Sequence, residues 1–129
     1  MKKYLAIDFG LRHLGLAINY GSLAEPFGQI SYRKDETVFK KLAQICQEEG
    51  VEAIVVGISE GKMAQRTRGF ARRLSETIKL PVEFEDETLT TQEAKQRLIE
   101  SGKGRIRRRQ RDHQAAAALI LQSFLDKQE

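Results

Sequence analysis

Apolar positions alternate with turn residues through the first third of the chain. Residues 3–9 read as a strand, residues 10–14 as a tight connection, and residues 15–20 as a second strand. Gly21 and Pro26 punctuate before a third extended piece over residues 27–32. Three strands joined by short turns predict an antiparallel meander. The period then lengthens. Val38, Phe39, Leu42, Ile45 and Cys46 fall on one helical face, with Asp35 as an N-cap candidate and Gly50 at the C′ position. Residues 51–58 are almost continuously apolar, which suits a strand covered on both faces. Ser59 to Thr67 is polar, contains Gly61, and reads as a loop. Phe70, Ala71, Leu74 and Ile78 mark another helix, which Pro81 ends, and Val82 to Asp86 reads as a short strand. Thr90-Thr91-Gln92-Glu93 has the form of a capping box opening a helix to about Glu100, stopped by Ser101-Gly102. Ala117, Ile120, Leu121 and Phe124 mark a last amphipathic helix. The order β-β-β-α-β-α-β-α-α predicts an α/β fold with a mixed sheet flanked by helices, in one domain spanning residues 1–129.

Composition narrows the function classes. At 129 residues and 40% hydrophobic content the chain can fill one core. No apolar run approaches the roughly 20 residues of a membrane span, and the N-terminus enters a strand without a signal-like segment. The expectation is a cytoplasmic protein with no membrane partner. One cysteine, Cys46, excludes an internal disulfide, and its place on a helix's apolar side suggests a buried structural thiol. The net charge of +4 is concentrated: Lys103, Arg105, Arg107, Arg108, Arg109 and Arg111 carry six positive charges with no acid among them. Removing these six from +4 leaves −2 for the rest of the chain. A cationic block of this kind points to a polyanion held in one place.

The chemistry lies in acids set among apolar residues. Asp8 sits inside the first strand, on the side of Tyr4 and Ala6, and Gly10 follows it. A buried carboxylate is costly unless something pairs with it. Asp86 and Glu87 end the last strand, where alternation leaves open which of the two points inward. Asp112 precedes Ala116 and Ile120 by four and eight residues, so it faces the protein at the start of the last helix. Each acid alone could be a cap or an edge charge. Three acids from three elements are what a divalent-metal nuclease needs. Carboxylates favour Mg²⁺ or Mn²⁺, whereas one cysteine and two histidines, His13 and His113, do not make a zinc site. His113 stands close enough in sequence to lie near the carboxylate site, but a solvent-facing histidine beside Asp112 is the favoured expectation.

The pieces Ala6-Ile7-Asp8-Phe9-Gly10 with Gly15-Leu16-Ala17, Val55-Val56-Gly57, Asp86 through Ala94, and Asp112-His113-Gln114-Ala115-Ala116 stand in the order of one family. With them, over nearly its full length, the chain resembles the YqgF/RuvX family of RNase H-like nucleases. The resemblance implies a five-stranded mixed sheet with helices on both faces and metal-dependent cleavage of nucleic acid. It implies Asp8, Glu87 and Asp112 as the catalytic and metal-binding acids. It further implies a role in maturing the 5′ end of pre-16S rRNA in ribosome biogenesis, or, by similarity to RuvC, in resolving Holliday junctions. Two departures stand out. Thr88 occupies a position where the family commonly has Arg, and Gly57-Ile58-Ser59 replaces a common Gly-Leu-Pro; both bear on substrate contacts more than on metal binding.

The expected function is therefore a metal-dependent endonuclease on structured RNA, with one or two Mg²⁺ or Mn²⁺ ions activating water and stabilising the leaving oxygen. Arg105, Arg107, Arg108, Arg109 and Arg111 would grip backbone phosphates, with Arg12 and Arg68 as further contacts near predicted loops. With no Trp and few aromatics, a base-stacking platform is not evident. Alternatives are a resolvase-like enzyme on branched DNA and a non-catalytic nucleic-acid-binding or ribosome-binding module on the same fold. Asp8-Phe9-Gly10 also resembles the first phosphate motif of sugar kinases and actin-like ATPases. Those proteins clasp ATP between two domains, and this chain has room for one. Both a monomer and a homodimer are compatible with the sequence.

Overall fold

The computed structural model describes residues 1–86 and 113–128. The expected helix at 90–100, Glu87, the basic block and Asp112 lie outside the described residues. Strands β1 (Tyr4–Phe9), β2 (His13–Tyr20) and β3 (Leu23–Ser31) form the antiparallel meander. Helix α1 (Asp35–Glu49), strand β4 (Ala53–Ile58), helix α2 (Lys62–Ile78) and strand β5 (Val82–Asp86) follow, and helix α3 covers His113–Lys127. The sheet is five-stranded and mixed, in the order β3-β2-β1-β4-β5, with β4 parallel to both β1 and β5.

The pleat of the sheet divides two cores. Tyr4, Ala6, Ala17, Ala53 and Val55 face α3, where Ala117, Ala118, Leu121, Phe124 and Leu125 are buried. Leu5, Ile7, Leu16, Ile18, Ile54 and Val56 face the other way, against Val38, Phe39 and Leu42 of α1 and Phe70 and Leu74 of α2. Central strands covered on both sides explain the continuous apolar run of β4. Small residues predominate where α3 lies on the sheet, which lets that helix sit low. It is tied to both edge strands. Gln122 accepts from the Ala24 backbone N–H at 2.9 Å and donates to the Ser22 carbonyl at 3.0 Å on β3. On β5, Glu85 accepts from Ser123 at 3.0 Å and from Lys127 at 2.6 Å.

Several boundaries differ from the sequence reading, each for a physical reason. Strand β3 starts at Leu23, because Pro26 is tolerated on an edge strand at a register shift opposite Leu16 and Ala17. Helix α2 starts at Lys62, so residues 62–67 are not a loop and Arg68 lies within a helix. The polar residues of that stretch form its outer face, while Ala64 and Thr67 are buried in step with Phe70, Ala71 and Leu74. Gly50 ends α1 with φ of 68°, as expected. Asp35 is not the cap: it is the first helical residue, and its carboxylate pairs with Arg73 of α2 at 2.7 Å. No helix among the described residues is long and apolar enough to cross a membrane.

Candidate active site

Asp8 stands near the end of β1 between two glycines, paired with Gly15 of β2 on one side and Gly57 of β4 on the other. Alternation turns it toward α3, as it does Tyr4 and Ala6. The missing side chains beside it leave space above the sheet, and the first turn of α3 fills that space. A Cβ at Gly15 would lie 1.9 Å from the backbone carbon and oxygen of His113 and 2.5 Å from the Gln114 nitrogen. A Cβ at Gly10 would lie 2.7 Å from the His13 carbonyl and 3.1 Å from the His113 ring. The glycines thus admit a helix terminus at backbone contact with the strands.

This close approach delivers His113 to Asp8. Its Nδ1 lies 2.8 Å from Asp8 Oδ2. A carboxylate oxygen only accepts, so Nδ1 carries the proton and donates. Asp8 is 8% exposed, and the imidazole is a partner for a carboxylate that would otherwise be desolvated at a cost. The His13 ring stacks on His113 with centroids 6.2 Å apart and planes at 27°. His13 is in turn bonded to the Ser31 hydroxyl at 2.8 Å. The turn from β1 to β2 is pinned by Tyr32: its hydroxyl donates to the Gly10 carbonyl at 3.0 Å and its backbone N–H to the Arg12 carbonyl at 2.9 Å.

The expected residues fall out as follows. Asp8 is buried at a sheet end and held by α3. His113 is partly exposed, but its Nδ1 is turned onto Asp8 rather than left to solvent. Asp86 pairs with Ile58 in the row that includes Val56 and Phe84, so it projects to the α1–α2 side, opposite Asp8. Pairing persists to Asp86, which keeps it on the side of Val82 and Phe84, as alternation predicts. The β5 acids on Asp8's side of the sheet are Glu83 and Glu85, of which Glu85 lies across Gly57 in Asp8's own row. Glu85 is 4% exposed and engaged by Lys127 and Ser123, a buried anchor for α3 on the edge strand. Arg12 lies exposed in the β1–β2 turn beside the site, and Arg68 is exposed on α2. Arg105, Arg107, Arg108, Arg109, Arg111, Glu87 and Asp112 lie outside the described residues, as do Lys103 and Thr88.

A carboxylate oriented by a histidine suits a hard cation, since ligating groups are held by such neighbours. Cys46, the one thiol, is buried on α1 with its pKa pushed up to about 11 by burial, and offers no soft ligand. Among the described residues no group of three or more His, Cys, Asp or Glu is placed to hold a metal ion.

Comparison with known proteins places this geometry. The RuvX family model, described as a Holliday junction resolvase, matches residues 2–127. A Pelotomaculum thermopropionicum protein named "Putative pre-16S rRNA nuclease" is 37% identical over 140 residues, covering 98% of this chain and 88% of its own. A Moorella thermoacetica protein of the same name is 36% identical, covering 97% of this chain and 95% of its own. Among solved structures, T. thermophilus RuvC in complex with a Holliday junction substrate superposes with a TM-score of 0.66 at 15% identity, covering 99% of this chain and 96% of that one. The Fowlpox virus resolvase, also bound to Holliday junction DNA, gives 0.59 at 12% identity and 98% of both chains. At those identities the structural likeness speaks for the RNase H-like fold alone. The family match over nearly the whole chain, supported by relatives above 30% identity, establishes that this protein belongs to the RuvX family.

Proposed function

We propose that the chain is a divalent-metal-dependent nuclease that hydrolyses phosphodiester bonds in the 5′ region of pre-16S rRNA during ribosome biogenesis, acting in the cytoplasm as one domain. The observation that carries this reading is Asp8: a buried carboxylate at a sheet end, flanked by Gly15 and Gly57, with its orientation set by His113. Asp112 immediately precedes His113 in sequence, and Glu87 immediately follows Asp86 at the end of β5. In this reading Asp8, Glu87 and Asp112 hold Mg²⁺ or Mn²⁺. When bound, such a cation supplies Lewis-acid activation of water and stabilisation of the leaving oxygen. The protein's own part is positional. Asp8 offers an oxygen whose direction is fixed by the imidazole N–H, and α3 is locked to the sheet at β3 and β5, so its first turn does not drift. Names of relatives favour ribosomal precursor RNA; the family description favours branched DNA.

One experiment separates the readings. Purified protein with Mn²⁺ is incubated in parallel with a pre-16S rRNA fragment and a four-way DNA junction, alongside Asp8→Asn. Cleavage of the RNA by wild type and none by Asp8→Asn is expected. Cleavage of the junction alone would move the assignment to a resolvase. Binding without metal-dependent cleavage of either would make the chain a non-catalytic module.

A further inference from the structure

Around the β1–β2 turn the surface opens into a cationic groove. One cavity of about 940 Å³ is lined by Leu11, Arg12, His13, Tyr32, Arg33 and Lys34, with Ser31 and Thr37 at its edge. A second, of about 430 Å³, adjoins it through Leu11, Tyr32 and Arg33 and continues along α2 past Gln65 and Arg66. The first lining contains no carboxylate. The second contains Asp35, which Arg73 neutralises at 2.7 Å. Arg12, Arg33 and Lys34 are exposed, and none has a side-chain ion-pair partner among the described residues. Three uncompensated cations around one groove generate a local positive potential. The floor is not merely charged. Leu11 is 57% exposed, and the Tyr32 ring is fixed by its hydroxyl bond to Gly10.

The groove also leads somewhere. His13 is part of its wall, His13 stacks on His113, and His113 bonds Asp8. We propose that this groove holds the sugar–phosphate backbone of a single-stranded segment of the substrate running to the phosphate at Asp8. Arg12, Arg33 and Lys34 contact successive phosphates, and Leu11 with the Tyr32 ring supports a base or ribose. A cationic track with an aromatic floor is how single strands are held without sequence readout. The assignment rests on the nuclease reading for its direction but not for its binding.

The test uses full-length protein carrying Asp8→Asn, to suppress cleavage, and fluorescein-labelled 12-nucleotide single strands of RNA and of DNA, titrated at several salt concentrations. Each phosphate contact to a single strand contributes about 0.7 to the magnitude of the log–log salt slope. Arg12→Ala, Arg33→Ala and Lys34→Ala together should lower that slope by about 2 and weaken binding more than tenfold at low salt. A control, Lys40→Ala with Lys41→Ala on α1, lines neither cavity and should leave the slope unchanged. Equal losses on RNA and DNA would identify the phosphates as the shared ligand, and a larger loss on RNA would add a ribose contact. The single variant Arg33→Glu, checked by an unaltered thermal melt, guards against misfolding of the triple variant and should also lower the slope. An unchanged slope on both strands in both variants overturns the proposal. If wild type cleaves nothing yet the slope falls, the groove stands and the nuclease reading fails. If wild type cleaves and the slope is unchanged, the reverse holds.

Discussion

Replacing Gly15 by Ala should unseat the element that serves Asp8. The added Cβ would lie 1.9 Å from two backbone atoms of His113 and 2.5 Å from a third in Gln114. Carbon contacts are comfortable only at about 3.5–4.0 Å, so the first turn of α3 must retreat by roughly 1.5–2 Å. Backbone cannot rotate out of the way as a side chain can. The Asp8–His113 bond, now 2.8 Å, would stretch past hydrogen-bonding range. Overpacking of a well-filled core costs about 1–3 kcal/mol. With an unfolding entropy of about 2.1 cal/mol/K per residue over 129 residues, each kcal/mol lowers Tm by roughly 4 °C, for a fall of roughly 4–11 °C. Differential scanning calorimetry reads the fall. The His113 Nδ1–H resonance of the metal-free protein reads the lost bond, and metal-dependent cleavage should drop with it. Gly28→Ala is the matched control, because no atom lies within 4 Å of its Cβ and its backbone needs no positive φ. If Gly15→Ala melts within about 1 °C of wild type and keeps the Nδ1–H signal, the reasoning about this contact is wrong.

Three further outcomes follow from the same geometry. Lys127→Met leaves Glu85, 4% exposed, with the Ser123 hydroxyl still donating to it; breaking a buried pair costs about 3–5 kcal/mol, and the half-exposed ammonium reduces this to about 1–3 kcal/mol in urea unfolding. The double variant Glu85→Gln with Lys127→Met should be less destabilised than that single variant, and additive effects would argue against coupling. Cys46, whose thiol burial pushes up to about 11, should react slowly with a disulfide reagent at pH 8 in the folded protein and rapidly in urea, since the thiolate is the nucleophile; fast native labelling would contradict its burial. The Tyr32 phenol is raised above its ordinary 10.0 first by burial, then by Asp35, against an opposing effect of Arg73. Asp35→Asn removes a raising charge, so spectrophotometric titration should show ionisation at lower pH than in wild type, and a rise would reverse the assigned cause.

The sequence carried the architecture because its signals were local. Alternation in β1 placed Asp8 with Tyr4 and Ala6, continuous apolarity placed β4 at the centre, and helical spacing found α1 and α3. Errors arose where polar residues did tertiary work. The run Lys62 to Thr67 looked like a loop because it is mostly polar and only Ala64 and Thr67 of it are buried. The burial of Glu85 had no local signal, because its partner Lys127 lies 42 residues away in the chain. His113 was assigned to solvent because no local pattern reveals that Gly10 and Gly15 leave room for it. Arg33 and Lys34 stayed unremarked beside the larger basic block, although both follow the end of β3 directly. Spacing also could not choose the face of Asp86, which the pairing with Ile58 decides.

The central claim is that Asp8 is a ligand of a catalytic divalent cation. The most direct measurement is a crystal grown with Mn²⁺ and examined at the manganese absorption edge. The account predicts an anomalous peak in inner-sphere contact with the Asp8 carboxylate and with those of Glu87 and Asp112, which vanishes in Asp8→Asn. Saturating Mn²⁺ with no peak at Asp8, in protein that still cleaves RNA, would contradict it.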